Sequence, residues 1–229
     1  MYLEFEKHIR GSKEDISRRQ KFYVDRYLKE KEFNKNCLAV DLGCGRGEWL
    51  KMIETLGLHA VGIDTNVNMV EECKRNGCEA YLSEALTYLQ GLDDNSVSVV
   101  SAFQVVEHLS KGDVFKLVKE AYRVLVPEGI LILETPNICN IEVGASAFHL
   151  DPTHINPVHP ELLKFIAEYA GFANSEIAYW NQESVEAWLQ SVMQQEEKEI
   201  LDSTLFRTVF ETMKNFIYLS PDYALVAVK

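Results

Sequence analysis

Between residues 37 and 134, short apolar runs alternate with stretches whose apolar positions recur every three or four residues. CLAVDLG (37–43), HAVGID (59–64), CEAYLS (78–83), SVSVVSAF (96–103) and ILILE (130–134) read as strands by their length and apolar runs. The segments 48–56, 66–76 and 111–125 carry the helical period instead. In the last of them Val114, Leu117, Val118, Ala121 and Leu125 form one stripe. Gly57 and Gly77 stand where the first two of these helices should stop. Such alternation predicts right-handed crossovers, a parallel sheet and helices on both of its faces.

The flanks extend the pattern. Residues 12–31 read as a helix with Ile16, Tyr23 and Tyr27 on one face, followed by a break at 34–36. Beyond residue 134, a helix over 160–169 closed by Gly171 and a strand over 174–180 are expected, with a final strand over 223–229. Helical spacing returns in 183–193 and 205–217, rich in aromatics and expected to pack on the sheet or the site's mouth. The expected architecture is α/β: a Rossmann-like, doubly wound, mostly parallel sheet with helices on both faces. A helical arm over 1–36 precedes one domain over 37–229, which carries a helical insertion at 182–219 before its last strand.

Composition narrows the function. The chain has 229 residues and a net charge of −12. An acidic balance argues against a phosphate backbone as partner, so no nucleic acid is expected. No apolar run reaches bilayer length, and the first twenty residues are too charged for a secretory signal. Cys37, Cys44, Cys73, Cys78 and Cys139 form an odd set without a C-x-x-C pair. That reads as reduced thiols in a cytoplasmic protein.

Ligands of such sheets bind beyond the carboxyl ends of the strands. Those ends carry Asp41, Asp64, Glu84, Gln104 and Glu134. The stretch VDLGCGRGEW (40–49) places Gly43, Gly45 and Gly47 between a strand and a helix, the layout of a nucleotide loop. It departs from the dinucleotide pattern: Glu48 follows Gly47, and Asp41 sits two residues before the first glycine, an odd neighbour for a pyrophosphate. A carboxylate there suits a ligand bearing an amino group and a sulfonium. Asp64 can accept both hydroxyls of a ribose.

These residues resemble the class I S-adenosylmethionine-dependent methyltransferases. The resemblance covers 37–134 and implies S-adenosylmethionine as cofactor, bound by Asp41, Gly43, Gly45, Gly47 and Asp64. Glu84 and Ala85 match the adenine-binding turn, which usually has Asp at the first of these positions. AFQVVEHL (102–109) matches the motif in which Gln104 touches the cofactor and Glu107 and His108 face the site. A narrower resemblance rests on HIRGSKEDISRRQKFY, ETPN (134–137) and FHLDPTHINPVHPELL (148–163), which look like the methyltransferases of bacterial O-antigen and other surface-polysaccharide clusters, including chain-terminating types. It implies a glycan or other small-molecule acceptor. A homodimer, or fusion to or complex with other glycan-assembly proteins, fits it.

A sugar hydroxyl is a weak nucleophile, so a base near neutral pH is expected. His154 is the first candidate, with Asp151 three residues earlier able to orient its ring in the manner of a triad. His108 with Glu107 is the second. His149 and His159 are expected to be bystanders. Glu107, His108, Asp151 and His154 could instead form a mixed N/O metal site, but no metal is expected. Arg18, or its neighbour Arg19, is the candidate for the cofactor's carboxylate. Asn137 and Asn156 are candidates for sugar hydroxyls. Cys44 is expected to be inert filling of the loop. The competing functions are a small-molecule O-methyltransferase of the quinone or polyketide type, and a cofactor-binding module without turnover.

Overall fold

The computed structural model describes residues 13–33, 37–180, 208 and 220–229. The helices expected over 183–193 and 205–217 lie outside these residues, as does nearly all of the expected insertion.

Seven strands form one sheet among the described residues: β1 (Leu38–Leu42), β2 (His59–Asp64), β3 (Glu79–Leu82), β4 (Val97–Phe103), β5 (Leu125–Pro136), β6 (Asn174–Ala178) and β7 (Asp222–Val228). Their order is β3-β2-β1-β4-β5-β7-β6. The first five are parallel, and β7 runs antiparallel to both of its neighbours. The helices are α1 (Lys13–Tyr23), α2 (Glu48–Glu54), α3 (Val67–Arg75), α4 (Ala85–Gln90), α5 (Lys111–Val124), α6 (Ile141–Ala145) and α7 (Pro160–Ala170). The doubly wound sheet expected from the alternation is thereby found.

Alternation along the strands divides the core. Val100, Ala102, Leu131 and Leu133 point to the layer of α5 and α7, where Leu117, Val118, Ala121 and Leu163 are fully buried. Val99, Ile130 and Ile132 point the other way, to Tyr23, Trp49, Leu50, Ile53 and Val70 of α1, α2 and α3. A parallel sheet covered on both faces needs such nearly continuous apolar strands. Residues 13–23 are therefore part of this core: Ile16 and Tyr23 are buried, and Tyr23 lies 5.7 Å from the Phe103 ring. Past Tyr23 the helix continues as a π turn over Val24–Leu28.

Departures from expectation include a strand boundary and a helix. β5 begins at Leu125, because Leu125 pairs with Val97 before the chain bulges through Val126–Gly129 with Glu128 at φ 64°. α4 was not anticipated: it is short, and Leu89 is its one buried residue.

Candidate active site

The strand order reverses direction between β1 and β4. Beyond their carboxyl ends opens a cleft of ≈ 670 Å³. Crevices at such switch points are where doubly wound sheets take ligands. A second hollow of ≈ 560 Å³, lined by Lys31–Phe33 and Val126–Gly129, opens by the start of β4 and gathers no comparable set of polar groups.

One wall of the cleft is the glycine loop. The amides of Gly43 and Cys44 both donate to the Ile63 carbonyl, at 2.7 and 3.0 Å, which draws the loop back across β2. Gly43 and Gly45 line the cleft, with φ of 74° and 52°. Gly47 does not line it. It caps α2 from the left-handed region, and a Cβ there would lie 2.8 and 2.9 Å from the sulfurs of Cys73 and Cys78. Its role is packing of the loop onto α3. Gly47→Ala is expected to cost about 1–3 kcal/mol through strain and overpacking, and each kcal/mol should lower Tm by about 2–4 °C. Thermal unfolding checks this.

Asp41 ends β1 inside the core with its Oδ1 accepting from the Ser101 hydroxyl at 2.7 Å. Asp64 ends β2, accepting from the amides of Gly45 at 3.0 Å and Asn66 at 2.8 Å. Both carboxylates, with Ser83, Glu84 and Ala85, line the same cleft. Cys44 is buried, and a hydrogen bond with Cys73 and then burial push its thiol pKa up.

At the floor lies a buried polar knot. Tyr23 donates to Glu134 Oε2 at 2.7 Å, and Arg19 lies 3.2 Å from Glu134 Oε1 and 3.0 Å from Asp222 Oδ2. Gln104, held at φ 57°, donates through Nε2 to Asp222 at 3.0 Å and to Glu134 at 3.4 Å. Burial acts against the charge on Arg19, but Glu134 and Asp222 outweigh it and keep its pKa raised. Among the described residues Arg19 is the arginine that lines the cleft. Arg18 points to solvent and pairs with Asp15 at 2.7 Å, which removes it as a cofactor ligand. Sequence reading did not find Tyr23 or Asp222 as members of this site.

The opposite wall is built from the turn after β4 and the segment after β5. His108, Asp151, Thr153 and His154 line the cleft. The triad-like arrangement expected of Asp151 and His154 is absent. His154 Nδ1 bonds to the Phe148 carbonyl at 2.9 Å, and Asp151 lies 3.8 Å from the other nitrogen, Nε2. Asp151 instead accepts from the Thr153 hydroxyl at 2.6 Å, and that hydroxyl meets His108 Nδ1 at 2.9 Å. Burial opposes the charge on Asp151, but the hydroxyl and amide of Thr153 hold its pKa low. Burial lowers the His154 pKa, which favours the neutral ring.

Glu107 is fully buried behind His154. Its Oε2 accepts from Thr135 at 2.9 Å, while Oε1 has no hydrogen-bond partner among the described residues and lies 4.0 Å from His154 Nε2. Burial pushes its pKa up to about 8. In the folded protein it thus keeps a proton that the unfolded chain releases near its ordinary value of about 4.3. Stability from this group accordingly falls as pH rises between those values. Glu107→Gln, which cannot ionise, should gain Tm relative to the parent as pH rises from 5 to 9; parallel melts with chelator present check this.

The two asparagines do not reach the cleft. Asn137 Nδ2 donates to the Ser220 carbonyl at 2.9 Å and its Oδ1 accepts from the Cys139 amide, so it ties the end of β5 to the chain before β7. Asn156 is buried, its amide donating to the Glu107 carbonyl at 3.0 Å. Both carry loop structure rather than acceptor contacts. His149 is exposed, and His159 caps α7 by accepting from the Glu161 amide.

Comparison with known proteins decides the family. A crystal structure of an S-adenosylmethionine-dependent methyltransferase from Archaeoglobus fulgidus superposes with a TM-score of 0.83 at 30% identity, covering 100% of this chain and 99% of that one. The chain belongs to the S-adenosylmethionine-dependent methyltransferases. Residues 40–133 match the family described as a methyltransferase domain. A Mycolicibacterium smegmatis protein named a probable S-adenosylmethionine-dependent methyltransferase is 30% identical over 134 residues, 58% of this chain and 51% of that one. A carboxy-S-adenosyl-L-methionine synthase from Glaesserella parasuis is 32% identical over 102 residues, 41% of this chain and 42% of that one. The chain spans about half the length of the first curated relatives it matches.

The cofactor of this methyltransferase family, S-adenosylmethionine, fits the cleft. Asp41 and Asp64 are carboxylates at adjacent strand ends on either side of a glycine loop that leaves room for a ligand. Among the described residues no helix is long and apolar enough to cross a membrane.

Proposed function

We propose that the protein is an O-methyltransferase whose acceptor is a hydroxyl of a surface-polysaccharide sugar or its precursor. The cofactor supplies an electrophilic methyl group on sulfur. The chain's own residues have to hold the acceptor oxygen against it and take up the oxygen's proton. The observation that carries this reading is the convergence of His108, Asp151, Thr153 and His154 on the cleft that Asp41 and Asp64 also line. A polar wall of imidazoles, a carboxylate and a hydroxyl matches an acceptor that presents hydroxyls, and none of these groups is needed to hold the cofactor. The sugar class rests on the likeness of ETPN and FHLDPTHINPVHPELL to the polysaccharide methyltransferases.

In this reading Asp41 and Asp64 bind the cofactor, joined by Arg19, whose guanidinium suits bidentate recognition of a carboxylate. His154, with His108 and Glu107 beside it, prepares the hydroxyl for loss of its proton. Alignment of acceptor and methyl supplies much of the rate in such displacements.

The test is transfer of a labelled methyl group to a panel of manno- and rhamno-oligosaccharides, with quinols and polyketide phenols alongside. Label on the oligosaccharides supports the sugar reading. Label on the phenols alone moves the substrate class to small molecules. Cofactor binding without transfer to either set, and without release of labelled methanol, points to a binding module.

A further inference from the structure

We propose that Glu107, His108 and His154 form a site for one divalent first-row transition cation at the acceptor end of the cleft. Ligand atoms of these three residues all lie within 4.8 Å of one another. The inference deepens the reading above, since it rests on this end of the cleft meeting the acceptor.

Three features make this a coordination site rather than a chance cluster. The first is the fixed tautomers. A carbonyl oxygen only accepts, so the Phe148 carbonyl at 2.9 Å requires a proton on His154 Nδ1. The Thr153 carbonyl at 3.2 Å makes the same demand of His108 Nδ1. The Thr153 hydroxyl reinforces it: donating to Asp151 at 2.6 Å, it can only accept from that ring. Each neutral ring then presents Nε2 as a bare lone pair. Imidazole ligands of metals are characteristically held in this way, by a carbonyl or carboxylate on the far nitrogen.

The second feature is Glu107 Oε1. It is wholly buried and has no hydrogen-bond partner among the described residues, a state that buried carboxylates seldom tolerate. It faces His154 Nε2 at 4.0 Å, too far for a hydrogen bond. Its sister oxygen is fixed by Thr135, so the carboxylate is aimed and not merely stranded.

The third is the spacing. Two ligand atoms, each about 2.1 Å from one ion, lie at most about 4.2 Å apart. The 4.0 Å pair satisfies this already. Closing a spacing of up to 4.8 Å asks for a shift of no more than roughly half an ångström from one side chain. Asp151 Oδ2, 3.8 Å from His154 Nε2, adds an oxygen at the edge. Two imidazoles and a carboxylate suit Mn²⁺, Fe²⁺, Co²⁺ or Zn²⁺ better than Mg²⁺, which prefers six oxygens. His108 and His154 line the cleft, so an acceptor hydroxyl that reached an ion held there would be acidified, its proton passing to solvent. His154 then acts on the hydroxyl through the ion it holds.

The experiment is a titration of chelator-stripped, full-length protein with Mn²⁺, followed by loss of the free-ion EPR signal. Mn²⁺ is the probe because thiolates favour softer ions, which keeps the buried cysteines from competing. One equivalent is expected to bind. Glu107→Gln keeps the side-chain shape and a Thr135 acceptor. That variant and the double variant His108→Ala/His154→Ala should each bind at least tenfold more weakly, since even the loss of an outer partner costs 10–100-fold. His149→Ala, exposed and outside the cluster, should bind as the parent does. Thermal melts of each variant establish that it is folded. A parent protein that takes up no Mn²⁺, or a folded double variant that binds it equally well, overturns the proposal. If no cation binds and chelated enzyme still methylates sugars, only the cation is refuted. If Mn²⁺ binds as expected and no hydroxyl is methylated, only the functional reading fails.

Discussion

His154→Ala is expected to lower methyl transfer by about 10²–10⁴-fold, the range for losing a positioned group that handles the proton, while cofactor affinity stays within about threefold. The split follows from where the ring sits. It lines the cleft with Nδ1 tied to Phe148 and Nε2 turned inward, on the opposite wall from Asp41 and Asp64. The ring makes no contact with the glycine loop among those described. The loss should therefore fall on kcat and leave cofactor binding in place, whether measured by calorimetry or by thermal shift with saturating cofactor. Loss of cofactor binding in parallel with turnover would place His154 in the binding machinery instead. Near-normal turnover would remove it from the chemistry altogether.

Asp41→Asn is expected to do the reverse, weakening cofactor binding by about 10–100-fold, as for losing a charged hydrogen-bond partner worth about 1.5–3 kcal/mol. The side chain is nearly isosteric. It keeps an acceptor for Ser101, whose hydroxyl now lies 2.7 Å from Oδ1. Stability should thus change little, and a melt without cofactor separates the two effects. What is lost is the negative charge at the end of β1, which a cationic amino acid moiety requires. An unchanged cofactor Kd would show that Asp41 serves only to brace β4 through Ser101.

The half of the cleft around the glycine loop was legible in the sequence because its determinants are local. A buried strand, a carboxylate at its end and three glycines before a helix occupy one stretch of ten residues, and Asp64 closes the very next strand. Helix phase was legible too, and it separates the two arginines. Ile16, Arg19, Gln20 and Tyr23 share one face of α1, so the stripe that buries Ile16 and Tyr23 carries Arg19 into the cleft and turns Arg18 outward.

The facing half was less legible because its contacts are long-range and run through irregular chain. Asn137 meets residue 220 and Asn156 meets residue 107, pairings that no local pattern encodes. The same holds for His154, whose ring is oriented by the Phe148 carbonyl and not by the carboxylate three residues before it. Glu134 could have been suspected: a carboxylate that ends an apolar run of central strand has to be buried and needs partners, which prove to be Tyr23, Arg19 and Gln104.

The evenly spaced histidines of FHLDPTHINPVHP thus divide by function: His149 faces solvent, His159 caps α7, and His154 alone enters the cleft.

The most direct test of the central claim is the NMR spectrum of the product formed from ¹³C-methyl-labelled cofactor and a rhamnose- or mannose-terminated oligosaccharide. The account predicts a single new methyl ether resonance correlated to a sugar ring proton, formed by the parent protein and missing with His154→Ala. A methyl group found on nitrogen or carbon, or an oligosaccharide left unmodified by protein that binds the cofactor, would contradict it.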